Sequence, residues 1–463
     1  MFVLGLLLVG CLGKTSTISD AFTTPPTINW EDVNKESTEI LSAYLQVDTT
    51  NPQGNETNGT QFLAEILDKE GIEYAVYESS PNRGNLVARI RGSGEEQPIC
   101  LLSHIDVVSV EAEKWTKPPF SGIVEDGYIW GRGALDMKSM TVMELMTMLL
   151  LHRMQIPLRR DVILLAVADE EVGGEGIQFL RDNHWDDIGC SHVINEGGLG
   201  LHDMMFAGQT VYPISVGEKG NVWLKMIATG DPGHGSTPRP NEAPVYLLNA
   251  IDRLQERDLD PKFSLELEQL VVNIGGDKGG ATGFVLRNRF LRNHLVLPKM
   301  MENPITRASL INTVHITGLG GEKQPNVVPS EVYAILDCRI QPDVDPQEFI
   351  QYLQNLVAEQ IRFEVIEARK GSISSTTDPL FEALMYYATA GEENSVAGPV
   401  ISVGFTDSNY LRPLGVQAYG FVPISLTAEE MAGFHGHNEK ISVEDLGDGT
   451  RKLFSSVFAV SAK

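Results

Sequence analysis

The sequence predicts an α/β protein: an open mixed sheet with helices on both faces, plus an inserted smaller α+β lid domain. Three observations predict it. Near-continuous apolar runs at 99–102 and 161–168 have the composition of strands buried on both faces. Helical spacing at 30–47, 61–71 and 137–154 alternates with those runs, and polar residues cluster at their carboxyl ends. From 217 to 368 the pattern changes to alternating strands with two helices, which marks the lid.

Residues 1–11 read as an export signal, because the apolar run at 2–9 is too short to span a bilayer. Leu8-Val9-Gly10-Cys11 resembles a bacterial lipobox, in which cleavage leaves a lipidated Cys11; the alternative is an ordinary secretory signal. Either way the chain is expected to be exported, as a periplasmic, membrane-anchored or secreted protein. Residues 12–27 read as a tether, 28–216 as the first part of the catalytic domain and 369–463 as its second part.

Within the first part, 49–60 reads as a loop and 86–91 and 99–103 as strands. The methionines 137, 140, 143 and 146 stand three apart, a spacing that suits core packing better than a metal array. A strand at 161–168 leads into Asp169-Glu170-Glu171, and a short strand at 192–195 ends at Glu196-Gly197-Gly198. In the lid, strands are expected at 222–229, 310–317, 332–339 and 363–368, and helices at 241–255 and 346–359. Residues 258–303 show no regular pattern beyond some helix. The α/β pattern resumes at 378, with a strand at 400–403 and a terminal helix at 443–460.

The formal net charge of −26 disfavours nucleic acid and anionic membrane surfaces as partners. The four cysteines (Cys11, Cys100, Cys190 and Cys338) lack CxxC spacing, so neither a disulfide framework nor a thiolate zinc site is expected. Cys100 and Cys338 lie in strand-like runs and read as buried thiols.

Five nitrogen and oxygen donors fall at strand ends or in the loops beyond them: His104, Asp136, Glu171, Glu196 and His435. This set suits Zn²⁺, with Co²⁺ or Mn²⁺ as substitutes. Three carboxylates and a bridging hydroxide balance two divalent ions, whereas a single ion would leave surplus negative charge. Such a pair lowers the pKa of a shared water to about 7. Asp106, two residues after His104, is placed to orient the imidazole. Glu170 is the candidate general base, and His234, in a glycine-rich turn of the lid, is the candidate oxyanion donor. Singly these signals are weak, since His-x-Asp is commonly structural and paired acids are commonly solvated. The residues alone do not separate His435 from His437. The histidines at 152, 184, 192, 202, 294 and 315 have no such company.

As an ordered set, the motifs resemble the metallohydrolase family of acetylornithine deacetylase, succinyl-diaminopimelate desuccinylase, aminoacylase and carboxypeptidase S. They are Asn51-Pro52, Ser103-His104-Ile105-Asp106, the stretch 115–138, Asp169-Glu170-Glu171, Asn195-Glu196-Gly197-Gly198, Gly233-His234-Gly235-Ser236, Asn326 to Pro329, Asp337-Cys338-Arg339 and His435-x-x-Asn438-Glu439. The long insert and 302–307 look most like carboxypeptidase S and the secreted N-acyl-amino-acid hydrolases. The resemblance implies two Zn²⁺ per subunit, one on His104 and Glu196, the other on Glu171 and His435, with Asp136 bridging. It picks His435 over His437, makes Glu170 the base, and gives Arg339 with Asn326 the grip on a substrate carboxylate. It also implies a small-molecule substrate, an N-acyl amino acid or short peptide cleaved beside a free carboxylate, and a homodimer formed through the lid. Dipeptidase or carboxypeptidase action is the alternative, and an inactive exported binding protein of the same fold is the reading from another class. A serine hydrolase is disfavoured, because no Gly-x-Ser-x-Gly elbow accompanies an ordered Asp and His.

Overall fold

The strand Ile99–His104 lies inside a nine-stranded sheet, and all six of its residues are buried. The structure, a computed structural model, describes residues 25–321 and 324–463. Cys11 and the predicted signal fall outside the described residues. The strand order is Glu73–Ser80, Arg83–Ile90, Val162–Val167, Ile99–His104, His192–His202, Gln417–Leu426, Thr210–Glu218 and Ser372–Ile373, with Ser395–Ser402 also paired to Thr210–Glu218. The central strands from Val162–Val167 to Gln417–Leu426 run parallel, while Glu73–Ser80 and Arg83–Ile90 add antiparallel pairs. This is the expected open mixed sheet. From Ile99–His104 the chain crosses to Val162–Val167 on one side and then to His192–His202 on the other. The order therefore reverses beside His104, the place where open α/β sheets gather ligands beyond their strand ends.

The helix Lys138–Arg153 is buried along its whole length from Lys138 to Leu151. It packs against the helices Trp30–Tyr44 and Val443–Ser461. Its methionines are core residues, as the spacing indicated. A four-stranded antiparallel sheet, ordered Thr313–Gly320, Glu331–Ile340, Gly220–Thr229 and Ile361–Arg369, has its own core with the helices Ala243–Gln255 and Pro346–Leu356. Every second residue of Glu331–Ile340 is buried, the signature of a sheet covered on one face.

Several expectations are corrected. Residues 258–303 hold the helices Leu265–Lys278 and Gly280–Arg287 and an unbroken helical run from Arg289 to Glu302. Leu267, Leu270, Val271 and Ile274 pack on Val211 and Val396 of the larger sheet, so this segment covers that sheet's edge. The expected loop 49–60 gives way to helix at Glu56, whose buried carboxylate is tied to Arg83 at 2.5 Å. The strand at 192–195 continues to His202, because both Gln417–Leu426 and Thr210–Glu218 pair with it. Cys100 is not a free thiol: it is joined to Cys190, with 5.8 Å between the Cα atoms. Parallel pairing of Ile99 with His192 and Cys100 with Val193 brings the two together across 90 residues of chain. Cys338 is free and buried, as expected.

Candidate metal centre

The strand Ile99–His104 delivers His104 at its carboxyl end, where the ring is buried. Its Nε2 lies 3.2 Å from Asp136 Oδ1. The other oxygen of Asp136 lies 3.0 Å from His435 Nε2, and His435 Nε2 lies 3.2 Å from Glu171 Oε1. Asp136 thus stands between two imidazoles contributed by distant parts of the chain. Ligand atoms of His104, Asp136 and Glu171 lie within 4.8 Å of one another, as do those of His104, Glu170 and Glu196. Predicted donors and predicted base share one cluster.

The imidazole of His104 is oriented through the Asp106 main chain: Nδ1 is 2.9 Å from the Asp106 carbonyl and 3.7 Å from its carboxylate. A carbonyl can only accept, so Nδ1 carries a proton, and Nε2 is the ring nitrogen turned toward the cluster. The Asp106 carboxylate instead holds the neighbouring loop. It accepts from the backbone N–H of Glu170 and of Glu171, both at 3.1 Å, and from Asn51 Nδ2 at 2.6 Å.

Two supports were not legible as site residues. Arg83 binds Asn51 Oδ1 at 2.8 Å, Glu56 at 2.5 Å and Asp169 at 3.0 Å, and so braces the loop carrying Glu170. Glu439 is buried against Arg132 and accepts from the N–H groups of Gly133, Leu135 and Asp136. Arg132 also donates to the Gly436 carbonyl at 2.7 Å. The final Glu of His435-x-x-Asn438-Glu439 therefore clamps the loop that presents Asp136 to His435. Only the Glu and its motif were visible in sequence; its partners lie about 300 residues away. Asn438 accepts from the Thr116 N–H at 2.7 Å, and His437 takes no part in the cluster.

Charge is crowded here. Burial, with Glu196 nearby, pushes the Glu170 carboxyl well above its usual range. Burial likewise pushes Glu196 up to about 8, with the Asp136 and Glu171 charges adding to it. Hydrogen bonds to Asp136 and Glu171 raise His435 to about 10. Asp407, also buried, is pushed up to about 8 and leaves one oxygen without a hydrogen-bond donor. Glu171 Oε1 is buried with the His435 imidazole, at 3.2 Å, as its partner. Surplus buried carboxylate with unmet acceptors is what divalent cations neutralise, so the residues present fit a metal pair.

The lid residues stand apart from the cluster. His234 is exposed on the two-residue strand Gly233–His234, paired with Val327–Val328, and Asn326 adjoins it through the Gly235 N–H at 2.9 Å. Among the described residues neither makes a hydrogen bond or ion pair with the cluster. Ser236 N–H points at His234 Nδ1 at 3.2 Å, which leaves Nε2 as the protonated donor. Arg339 gives Nε and Nη2 to the Asp337 carboxylate at 2.8 and 3.0 Å, and the Nη1 end of its fork remains open.

Comparison with known proteins follows the same lines. The family model described as Peptidase family M20/M25/M40 matches residues 100–458. The N-fatty-acyl-amino acid synthase/hydrolase PM20D1 of Mus musculus is 31% identical over 443 residues, covering 90% of this chain and 86% of its own. Aminoacylase-1 of Sus scrofa is 28% identical over 423 residues, covering 88% and 90%. Among solved structures, the M20 family metallo-carboxypeptidase Sso-CP2 from Sulfolobus solfataricus superposes with a TM-score of 0.67 at 18% identity, over 92% of this chain and 99% of that one. The Bacillus subtilis YXEP protein, a dinuclear metal binding peptidase from the M20 family, gives 0.58 at 12%, over 93% and 99%. At those identities the two solved structures establish a common fold and nothing finer.

Proposed function

The chain belongs to peptidase family M20/M25/M40, and from that premise we propose that it hydrolyses the amide bond of N-acyl amino acids beside their free carboxylate. The names of its relatives, an N-fatty-acyl-amino acid synthase/hydrolase and an aminoacylase, support an acylated amino acid as substrate. One observation carries the proposal: His104, Asp136, Glu171, Glu196 and His435 converge at the carboxyl end of one sheet, beside a half-buried Glu170.

His104 with Glu196 would hold one zinc ion and Glu171 with His435 the other, Asp136 bridging. When bound, that pair supplies an acidified water and polarises the amide carbonyl. Glu170 accepts a proton from the attacking water and passes it to the leaving nitrogen, so amide and water become carboxylate and amine. His234 donates from Nε2 to the oxygen that gains charge, once lid closure or a second copy of the chain brings it to the centre. The free Nη1 end of Arg339, with Asn326 nearby, receives the substrate carboxylate. The Cys100–Cys190 disulfide supports folding in an oxidising compartment, in keeping with an exported chain anchored at Cys11.

The test is metal content combined with release of free amino acid from N-acylated leucine, N-acylated phenylalanine and dipeptides, with zinc or cobalt supplied. Faster release from acylated amino acids is expected. Faster dipeptide cleavage would make the protein a dipeptidase, and inactivity on every substrate would end the proposal.

A further inference from the structure

Among the described residues only two phenylalanines are exposed, and they stand six residues apart. Phe284, on the helix Gly280–Arg287, is 58% exposed; Phe290, in the helical run 289–302, is 66% exposed. The same run exposes Leu295 at 52%, and the Phe290 ring stacks on His294 on its outer side. The inner side is anchored, with Leu286 in the cluster around Leu270 and Ile274, and Arg292 buried against Glu268. These helices are therefore held to the body by one face while presenting large apolar groups on the other.

The charge on this segment is as unusual as its apolarity. Between 278 and 301 the sequence has five Lys or Arg and no Asp or Glu, in a chain whose net charge is −26. Of the five, Arg287, Arg289 and Lys299 are exposed. Aromatic and aliphatic side chains flanked by cations on the outer face of short helices are the composition of interfacial helices. The charge of the whole chain opposes an anionic surface, but at physiological salt charges beyond about 8 Å are screened, so the local charge governs contact.

We infer that this face docks on a bilayer containing anionic phospholipid. Phe284, Phe290 and Leu295 enter the boundary between headgroups and acyl chains, and Arg287, Arg289 and Lys299 meet the phosphates. A second copy of the chain is a poorer occupant, because an isologous contact would set like charges against one another. The segment continues into the helix Pro304–Leu310. There Lys219 Nζ binds the carbonyls of Ala308 and Ile311 at 2.9 and 2.7 Å, close to the base of the lid strand Gly220–Thr229. Docking would therefore place the lid beside the membrane.

The experiment is flotation of the full chain with vesicles of phosphatidylcholine alone and of phosphatidylcholine mixed with phosphatidylglycerol. Binding to the mixed vesicles is expected, weakening as salt rises. Phe284→Ser with Phe290→Ser, and separately Arg287→Glu with Arg289→Glu and Lys299→Glu, should each lower affinity at least about tenfold. Hydrolysis of a soluble short-chain substrate should not change in either variant. Three results would overturn the inference: wild type that ignores mixed vesicles, variants that float like wild type, or phenylalanine variants that lose only self-association. Binding is read without substrate, so it stands or falls separately from the hydrolase activity.

Discussion

The Glu439 carboxylate lies 2.5 Å from the Arg132 guanidinium, both groups fully enclosed and 307 residues apart in the chain. Each partner also holds backbone belonging to the other's loop, so the pair locks Asp136 and His435 in one geometry. Its worth lies in position more than in raw attraction, because burying both charges is itself costly.

Glu439→Gln keeps the shape and leaves Arg132 uncompensated. Loss of about 3 kcal/mol or more of stability is expected in urea unfolding. Zinc affinity should fall at least about tenfold, because Asp136 loses a backbone anchor. Unchanged values for both would show that the clamp is dispensable.

Glu170→Gln should leave the metals in place and slow turnover by about 10²–10⁴-fold. Metal analysis and kcat on the same preparation decide it. Full turnover with full metal would remove Glu170 as the base.

Glu144 lies on the buried helix with the Ser103 hydroxyl as its polar neighbour, and burial pushes its carboxyl well above the usual range. In the unfolded chain it ionises near pH ~4.3. The folded protein keeps the proton to higher pH, so stability falls as pH rises from there toward the folded value. Glu144→Gln removes this dependence. The variant should match wild type near pH 4 and surpass it at pH 8 in urea midpoint; a constant difference across that range would contradict the assignment.

Replacing Cys100 and Cys190 by alanine together opens a loop of 90 residues and should cost about 4–5 kcal/mol in the chain-entropy account. Comparing the oxidised protein with the double variant in urea measures it. Equal midpoints would mean that the bond adds nothing to the folded state.

The donors were readable in sequence for a simple reason. A parallel strand buried on both faces is apolar until it ends, so His104 and the Asp169-Glu170-Glu171 group stand out against Ile99–His104 and Val162–Val167. The two-sided strand Glu73–Ser80 has no fully buried residue in its central part and announces itself poorly. Some helix was expected in 258–303 but its bounds were not legible, because these helices expose Phe284, Phe290 and Leu295, which blurs the amphipathic period that marks a helix.

By itself the sequence determined which atoms are available: five candidate metal donors, a neighbouring acid, and the apolar strands that carry them. Folding decided which of these meet and what holds them. Asp106 proved to fix the Glu170 and Glu171 main chain, Glu439 to fix that of Asp136, and Cys100 to pair with Cys190. Such contacts depend on strand order and backbone direction, which are set by packing the whole chain at once. Local spacing records side-chain type, and a hydrogen bond to a main-chain amide leaves no mark on the identity of the residue that donates it.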